Sequence, residues 1–249
     1  MSAFPEGRLG FAVGDIHGRA DLLARMFDAL EREALSTKRP YPPFVVFLGD
    51  YIDRGPDSAE VIDLMLTGRP EGFERRYLKG NHEAAMLSFL DDPVGHKAWL
   101  AHGGLETLAS YDLYPLPSMG ASNDQLLEAR DRFKAKLPNT HLAFLQSLER
   151  YVVLGDYAFV HAGVDVKHSL EQQTDANLFW IRERFLNETK PFSYRVVHGH
   201  TPTTAPFIDR RRIGVDTGAY FSNILSAARF EGDQVRFVAV STSDPFSRF

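Results

Sequence analysis

Cysteine is absent from this sequence. The chain can therefore form neither disulfide bonds nor thiolate metal sites, and it cannot use the mechanism of cysteine-dependent phosphatases. Any metal ion must be held by oxygen and imidazole ligands, which aspartate, asparagine and histidine supply.

Long hydrophobic runs and an excess of positive charge are also missing. No stretch approaches the ~20 apolar residues of a membrane-spanning helix, and residues 1–6 lack the basic start of a signal peptide. The formal net charge of −5 argues against a protein built mainly to bind nucleic acid. We therefore expect a cytoplasmic protein that binds neither membranes nor nucleic acid, with a monomer as the simplest state.

Strand and helix patterns alternate over the first 90 residues. Apolar runs predict strands at 9–13, 44–48 and 76–78. Amphipathic stretches predict helices at 21–34, 58–66 and 81–90. This alternation indicates a parallel sheet with helical crossovers.

Two further regions complete the single domain that we predict over residues 1–249. Residues 91–148 carry helical patterns, and we interpret them as a cap inserted beside the functional site. From residue 151 onward, through runs at 225–230 and 235–240, the pattern is that of strands, which we predict to form a second sheet packed on the first. The fold class is thus α/β, with a central two-sheet β-sandwich flanked by helices.

Five short polar motifs, rich in glycine, follow the apolar runs. They are Gly14-Asp15-Ile16-His17-Gly18, Gly49-Asp50-Tyr51-Ile52-Asp53-Arg54-Gly55, Gly80-Asn81-His82-Glu83, His161-Ala162-Gly163 and His198-Gly199-His200-Thr201. Ligands of open α/β sheets bind at the carboxyl ends of the strands, so we expect these motifs to converge at one edge.

The residue types in these motifs suit two adjacent divalent metal ions. Asp15, His17 and Asp50 can hold one ion. Asn81, His161 and His200 can hold a second ion, and Asp50 can bridge the two. A water shared by two ions ~3.5–4 Å apart becomes a nucleophile for phosphate esters.

Two more pairs of residues complete the predicted chemistry. His82 is the candidate general acid for the leaving group, and Asp53 is placed to hold its imidazole. Arg54 and Arg182 are candidates to bind phosphate, because the planar guanidinium suits phosphate oxygens.

Other polar and aromatic residues are better explained without a role in the site. We interpret Trp99 and Trp180 as packing residues, His141 as a core or surface histidine, and the turn at Asp216 as one that either supports the ligands from behind or is structural. His198 competes with His200 as a ligand, but His200 fits the motif better.

The five motifs resemble those of the phosphoprotein phosphatase family of calcineurin-like metallophosphoesterases, in particular its bacterial and bacteriophage members. The resemblance spans residues 14–202 and implies the same six metal ligands, the His82–Asp53 acid pair and the two phosphate-binding arginines. It also implies manganese as the expected metal, with iron or zinc as alternatives. Pro202 stands where broader metallophosphoesterases often carry a further histidine, which disfavours a nuclease or cyclic-nucleotide phosphodiesterase.

The leading functional hypothesis is a protein phosphatase acting on phosphoserine and phosphothreonine, and extending to phosphotyrosine, by direct attack of the hydroxide between the two metals. The alternative is a hydrolase that cleaves diadenosine tetraphosphate symmetrically. A catalytically inactive scaffold is a third hypothesis, which the complete set of ligand and acid positions disfavours.

Overall fold

The computed structural model describes residues 2–35 and 40–242, and it contains the two sheets and flanking helices that the sequence predicts. The strands are β1 (Leu9–Val13), β2 (Phe44–Phe47), β3 (Glu74–Tyr77), β4 (Tyr151–Leu154), β5 (Tyr157–Val160), β6 (Arg195–His198), β7 (Phe207–Ile208), β8 (Arg212–Gly214), β9 (Ile224–Glu231) and β10 (Gln234–Ser241). The α-helices are α1 (Ala20–Leu35), α2 (Ser58–Leu66), α3 (Asn81–Asp91), α4 (Leu105–Ser110), α5 (Asn123–Lys136), α6 (Asn139–Ser147), α7 (Asp175–Trp180), α8 (Glu183–Leu186) and α9 (Ala219–Ser222).

Each sheet is built around three parallel strands. The first sheet has the order β10-β9-β1-β2-β3, and the second has the order β4-β5-β6-β8-β7. Strands β1, β2 and β3 are parallel in the first sheet, as are β5, β6 and β8 in the second. In each sheet the carboxyl ends of the three parallel strands therefore lie at one edge, and ligands bind at this edge in such folds.

Alternate residues of the central strands face two different cores, as the two-residue period of a strand requires. Phe11 and Phe47 pack with the helices α1 to α6 in one core. Ala12, Phe44 and Val46 pack between the two sheets in the other. This burial on both faces explains the nearly continuous apolar runs of β1 and β2.

The last two strands do not join the second sheet, contrary to the expectation from the sequence. Strand β9 pairs antiparallel with β1, and β10 pairs antiparallel with β9. Without β9, the strand β1 would present an open edge of unpaired backbone groups, and β9 satisfies them. The pairing is non-local, so the hydrophobic pattern of either strand carries no information about it.

Within the helical segment predicted over residues 91–148, the regular helix is interrupted before α4. A wider helical turn spans Leu100–Gly104, and Gly103 has a φ of 107°. A Cβ atom on Gly103 would collide with the backbone nitrogen of Arg54. The break thus allows this turn to pack directly against the motif that carries Asp53 and Arg54.

None of the helices in the described ranges has the length and apolar character needed to cross a bilayer.

Candidate active site

The five motifs meet where the parallel strands of both sheets end. The six predicted metal ligands follow β1, β2, β3, β5 and β6, and each is at most 6% exposed. The second motif is packed closely against the third, because any side chain in place of Gly80 would collide with the carboxylate of Asp50. Residues far apart in the sequence therefore share one buried edge.

The backbone is unusual at this edge. Among the described residues, seven non-glycine residues have a left-handed φ, and five of them are predicted site residues. These five are His17 (48°), Asp50 (52°), Asp53 (73°), Arg54 (69°) and His200 (64°). Such conformations cost free energy and cluster at functional sites, where the surrounding structure holds them.

Two groups of metal-binding side chains share Asp50. His17, Asp50 and His82 form one group, and Asp50, His161 and His200 form the other, with the donor atoms in each group within 4.8 Å of one another. Asn81 joins the second group, since its Oδ1 lies 2.9 Å from His161 Nε2. The two groups therefore have the carboxylate of Asp50 in common.

The orientation of the imidazole rings suits metal binding. The Nδ1 atoms of His17 and His161 donate hydrogen bonds to the carbonyls of Ile52 (2.9 Å) and Leu48 (2.8 Å). Their Nε2 atoms then face Asp50, at 3.5 Å and 3.4 Å from its carboxylate oxygens. Metal-binding histidines are commonly held in this way, with the second ring nitrogen bound to a carbonyl or carboxylate.

Asp15 lies beside these groups and belongs to neither of them. Its carboxylate accepts a hydrogen bond from the backbone nitrogen of His200, at 3.0 Å and 3.1 Å from the two oxygens. Burial and then the neighbouring Asp216 raise the pKa of Asp15 well above its usual value. A cation at the adjacent group would stabilise the ionised form of Asp15.

Several buried groups of the cluster have shifted pKa values. Burial opposes a charge on His161, but the Asp50 carboxylate prevails and raises the pKa of His161 to about 10. Burial raises the pKa of Asp216 to about 6. Divalent cations at the cluster would compete with these protons and stabilise the ionised carboxylates, and the oxygen and imidazole donors suit Mn²⁺, Fe²⁺ or Zn²⁺.

His82 and Asp53 form a buried pair. His82 Nδ1 donates a hydrogen bond to Asp53 Oδ2 at 2.7 Å, while His82 Nε2 lies 3.9 Å from Asp50 Oδ2. Burial lowers the pKa of His82, but the carboxylates of Asp50 and Asp53 outweigh it, so the net shift is upward. This favours a protonated imidazole, as a general acid requires.

Asp53 has two further partners that the sequence analysis missed. Trp99 Nε1 donates to Asp53 Oδ2 at 2.8 Å, and Thr107 Oγ1 donates to Asp53 Oδ1 at 2.5 Å. Burial raises the pKa of Asp53, and the hydrogen bonds from His82, Thr107 and Trp99 act to lower it. Trp99 does pack in the core against Phe89, as predicted, but it also holds the acid pair.

Glu83 is a second residue whose role was missed. Its carboxylate accepts hydrogen bonds from the backbone nitrogens of Gly80 (2.9 Å), Asp50 (2.9 Å) and Tyr51 (2.7 Å). Burial and then the Asp50 carboxylate raise the pKa of Glu83 to about 7. Glu83 thereby joins the second and third motifs, and its place in Gly-Asn-His-Glu was the available signal.

The predicted phosphate-binding arginines line one cleft with the acid. A cleft of about 510 Å³ includes Arg54, Asn81, His82 and Arg182 among its lining residues. The guanidinium of Arg54 lies 5.0 Å from the centre of the Tyr220 ring, a cation–π contact that orients it. Tyr220, on α9, was not singled out from the sequence.

Comparison with known proteins identifies the class to which this fold and site belong. A model of the calcineurin-like phosphoesterase family matches residues 11–235. The chain therefore belongs to this family of metallophosphoesterases, and it is a hydrolase of that class.

Curated relatives match the chain over nearly its whole length. Bis(5'-nucleosyl)-tetraphosphatase PrpE [asymmetrical] of Halalkalibacterium halodurans is 26% identical, over 94% of each chain. The protein of the same name from Bacillus subtilis is 28% identical, over 95% of this chain and 97% of its own. Among solved structures, a candidate diadenosine tetraphosphatase superposes with a TM-score of 0.62 at 20% identity, over 94% of each chain.

These relatives contradict the leading hypothesis of a serine/threonine protein phosphatase. A yeast protein serine/threonine phosphatase does share the fold, with a TM-score of 0.54 over 96% of this chain and 81% of its own, but at 15% identity this likeness shows the fold alone. The motifs by themselves did not separate the two activities. The alternative hypothesis, a dinucleoside tetraphosphate hydrolase, agrees better with the relatives.

Proposed function

We propose that this protein is a metal-dependent hydrolase of bis(5'-nucleosyl) tetraphosphates. The observation that supports it most is the similarity to the PrpE proteins over 94–97% of those chains, because it includes the whole site. Their designation as asymmetrical differs from the symmetrical cleavage expected from the sequence, and we follow the relatives. The products would then be a nucleoside triphosphate and a nucleoside monophosphate.

The six ligands predicted from the motifs, which include Asp15 beside the two groups, would hold two divalent ions. Asp15, His17 and Asp50 would hold one ion, and Asp50, Asn81, His161 and His200 would hold the other. When bound, two such ions polarise a phosphate and lower the pKa of water to near neutrality. Manganese is the metal that we propose first, followed by iron and zinc.

The remaining residues act on the substrate and the leaving group. Arg54 and Arg182, which line the same cleft, would bind the phosphate oxygens and neutralise their charge. His82, held by Asp53, would donate its proton to the leaving phosphate oxygen. Trp99 and Thr107 would keep Asp53 in place during this transfer.

A product analysis tests this proposal. The manganese-loaded protein is incubated with diadenosine tetraphosphate, and the nucleotides are separated by chromatography, with parallel samples in iron and zinc. We expect ATP and AMP in equal amounts. Two equivalents of ADP would contradict asymmetrical cleavage. If the protein hydrolyses an aryl phosphate but leaves diadenosine tetraphosphate intact, the proposed tetraphosphatase function is wrong.

A further inference from the structure

The two tryptophans of this chain have opposite environments. Trp99 is 2% exposed and is fixed by Asp53 and by its aromatic neighbours, whereas Trp180 is 53% exposed. Trp180 is the last residue of α7, and it was predicted to be a packing residue. The structure shows that it is not buried in a core.

The exposed Trp180 ring is carried by a backbone that its buried neighbours hold in place. Its neighbours Phe179 and Ile181 are 3% and 9% exposed, and both belong to the core between α7 and the second sheet. Thr174 caps α7 by accepting a hydrogen bond from the backbone nitrogen of Asn177. A large ring held outward in this way is suited to contact a ligand.

Trp180 lines the same cleft as the reactive residues. The cleft of about 510 Å³ that includes Asn81, His82 and Arg54 is also lined by Trp180 and Arg182. This volume lies in the range of ~300–1,000 Å³ that is typical of small-molecule sites. We name it the tryptophan cleft.

Several other residues that line the tryptophan cleft have small side chains. Ala84, Ala85 and Ala98 contribute only methyl groups, and Ser88 contributes a hydroxyl. An aromatic surface near small side chains and a phosphate-binding arginine matches the needs of a nucleotide, whose flat base and charged phosphates lie at opposite ends.

We propose that the tryptophan cleft binds one nucleoside of the substrate, with its base stacked on the indole of Trp180. The polyphosphate would extend past Arg182 towards Arg54 and the metal groups. This inference rests on the proposed function and names the specificity-determining residue of that site.

The first test uses the wild-type protein and needs no variant. Inhibition of p-nitrophenyl phosphate hydrolysis by AMP is compared with inhibition by ribose 5-phosphate, which has the same phosphate without the base. We expect AMP to inhibit about 5–150-fold more strongly, the range that base–aromatic stacking gives. Equal inhibition by the two compounds would overturn the inference. It would indicate that the cleft accepts apolar groups without recognising a base.

The second test assigns the effect to Trp180. In Trp180→Ala the KM for diadenosine tetraphosphate should rise about 5–150-fold relative to the KM for p-nitrophenyl phosphate. Trp180→Phe should restore most of the wild-type ratio of the two KM values. Tyr41→Ala is the matched control, since Tyr41 is also half exposed, at 52%, and precedes β2 at the opposite edge of the sheet. If the wild-type protein cleaves the dinucleotide and Trp180→Ala leaves this ratio unchanged, the inference fails while the proposed function stands. If the wild-type protein cleaves only the aryl phosphate, the proposed function fails.

Discussion

The motif edge of the two sheets and the helical segment over residues 91–148 contribute to the same site in different ways. The motif edge supplies the metal-binding groups from short turns with left-handed residues such as Asp50 and His200. The helical segment supplies no predicted ligand, but its Trp99 and Thr107 hold Asp53. One region thus carries the proposed metal ligands, and the other fixes the position of Asp53.

This difference separates two kinds of sequence signal. A ligand at a strand end is constrained by its own turn, so glycine and a polar residue mark it in the sequence. A positioning residue is constrained only by its distant partner. Thr107 is separated from Asp53 by 54 residues, and its local sequence is that of an ordinary helix.

The largest effect is expected at the motif edge, from Asp50→Asn. Asp50 belongs to both metal-binding groups, so the loss of its charge should weaken both ions together. We expect affinity losses beyond the ~10–100-fold that changes around metal ligands typically cause, together with loss of turnover. Metal content by mass spectrometry measures this, with Asp233→Asn, in the exposed turn before β10, as the control. Retention of two tightly held ions would refute the bridging position.

A smaller loss is expected from His82→Asn, which removes the proposed acid. The kcat should fall by ~10²–10⁴-fold, the usual contribution of a general acid. The loss should be greater for phenyl phosphate than for p-nitrophenyl phosphate, because the poorer leaving group depends more on protonation. Equal losses would argue against the acid role. Loss of one metal ion would instead assign His82 to the group that it forms with His17 and Asp50.

Thr107→Val tests the contribution of the helical segment and should have an intermediate effect. We expect about a tenfold loss of kcat, since a hydrogen bond to a charged group contributes ~1.5–3 kcal/mol and part of it is retained through other partners. The Thr107 hydrogen bond lowers the pKa of Asp53, so its removal raises that pKa. Asp53 must be ionised to hold the proton on His82. The acid limb of the pH–rate profile should therefore lie at higher pH in Thr107→Val than in the wild-type protein.

The pH–rate profile distinguishes this role from a merely structural one. Thr107→Ser keeps the hydroxyl and should restore both kcat and the acid limb of the profile. An unshifted acid limb in Thr107→Val would show that Thr107 only packs.

The smallest effect on turnover is expected from His141, a buried polar residue of the helical segment that lies away from Asp53. His141 lies 2.9 Å from both the Tyr111 hydroxyl and an Asp63 carboxylate oxygen, and it is buried. His141→Ala should lower the free energy of unfolding by about 2 kcal/mol, as loss of a buried hydrogen-bonded group does. The melting temperature should fall by roughly 4–8 °C. The kcat should stay within about twofold of the wild-type value, and a larger change would extend the positioning role beyond Trp99 and Thr107.

Much of the fold was predictable because the responsible interactions are local. Helix α2 and strand β1 begin and end where the sequence pattern places them. The partners of β9 and β10 were not predictable, since β1 offers an edge that only the folded chain creates. The substrate class was not predictable for a similar reason, because the motifs indicate the metal chemistry, whereas Trp180 and Arg182 of the tryptophan cleft lie outside them.

The sequence by itself determined the chemistry of this protein: cysteine is excluded, and aspartate, asparagine and histidine follow apolar strands in turns that place them at one edge. The tertiary structure decided which of these groups share Asp50, which residues hold Asp53, and that Trp180 faces a cleft while Trp99 is buried. The physical reason is the range of the interactions. Strand and turn preferences act over a few residues, whereas these contacts depend on how separate elements pack.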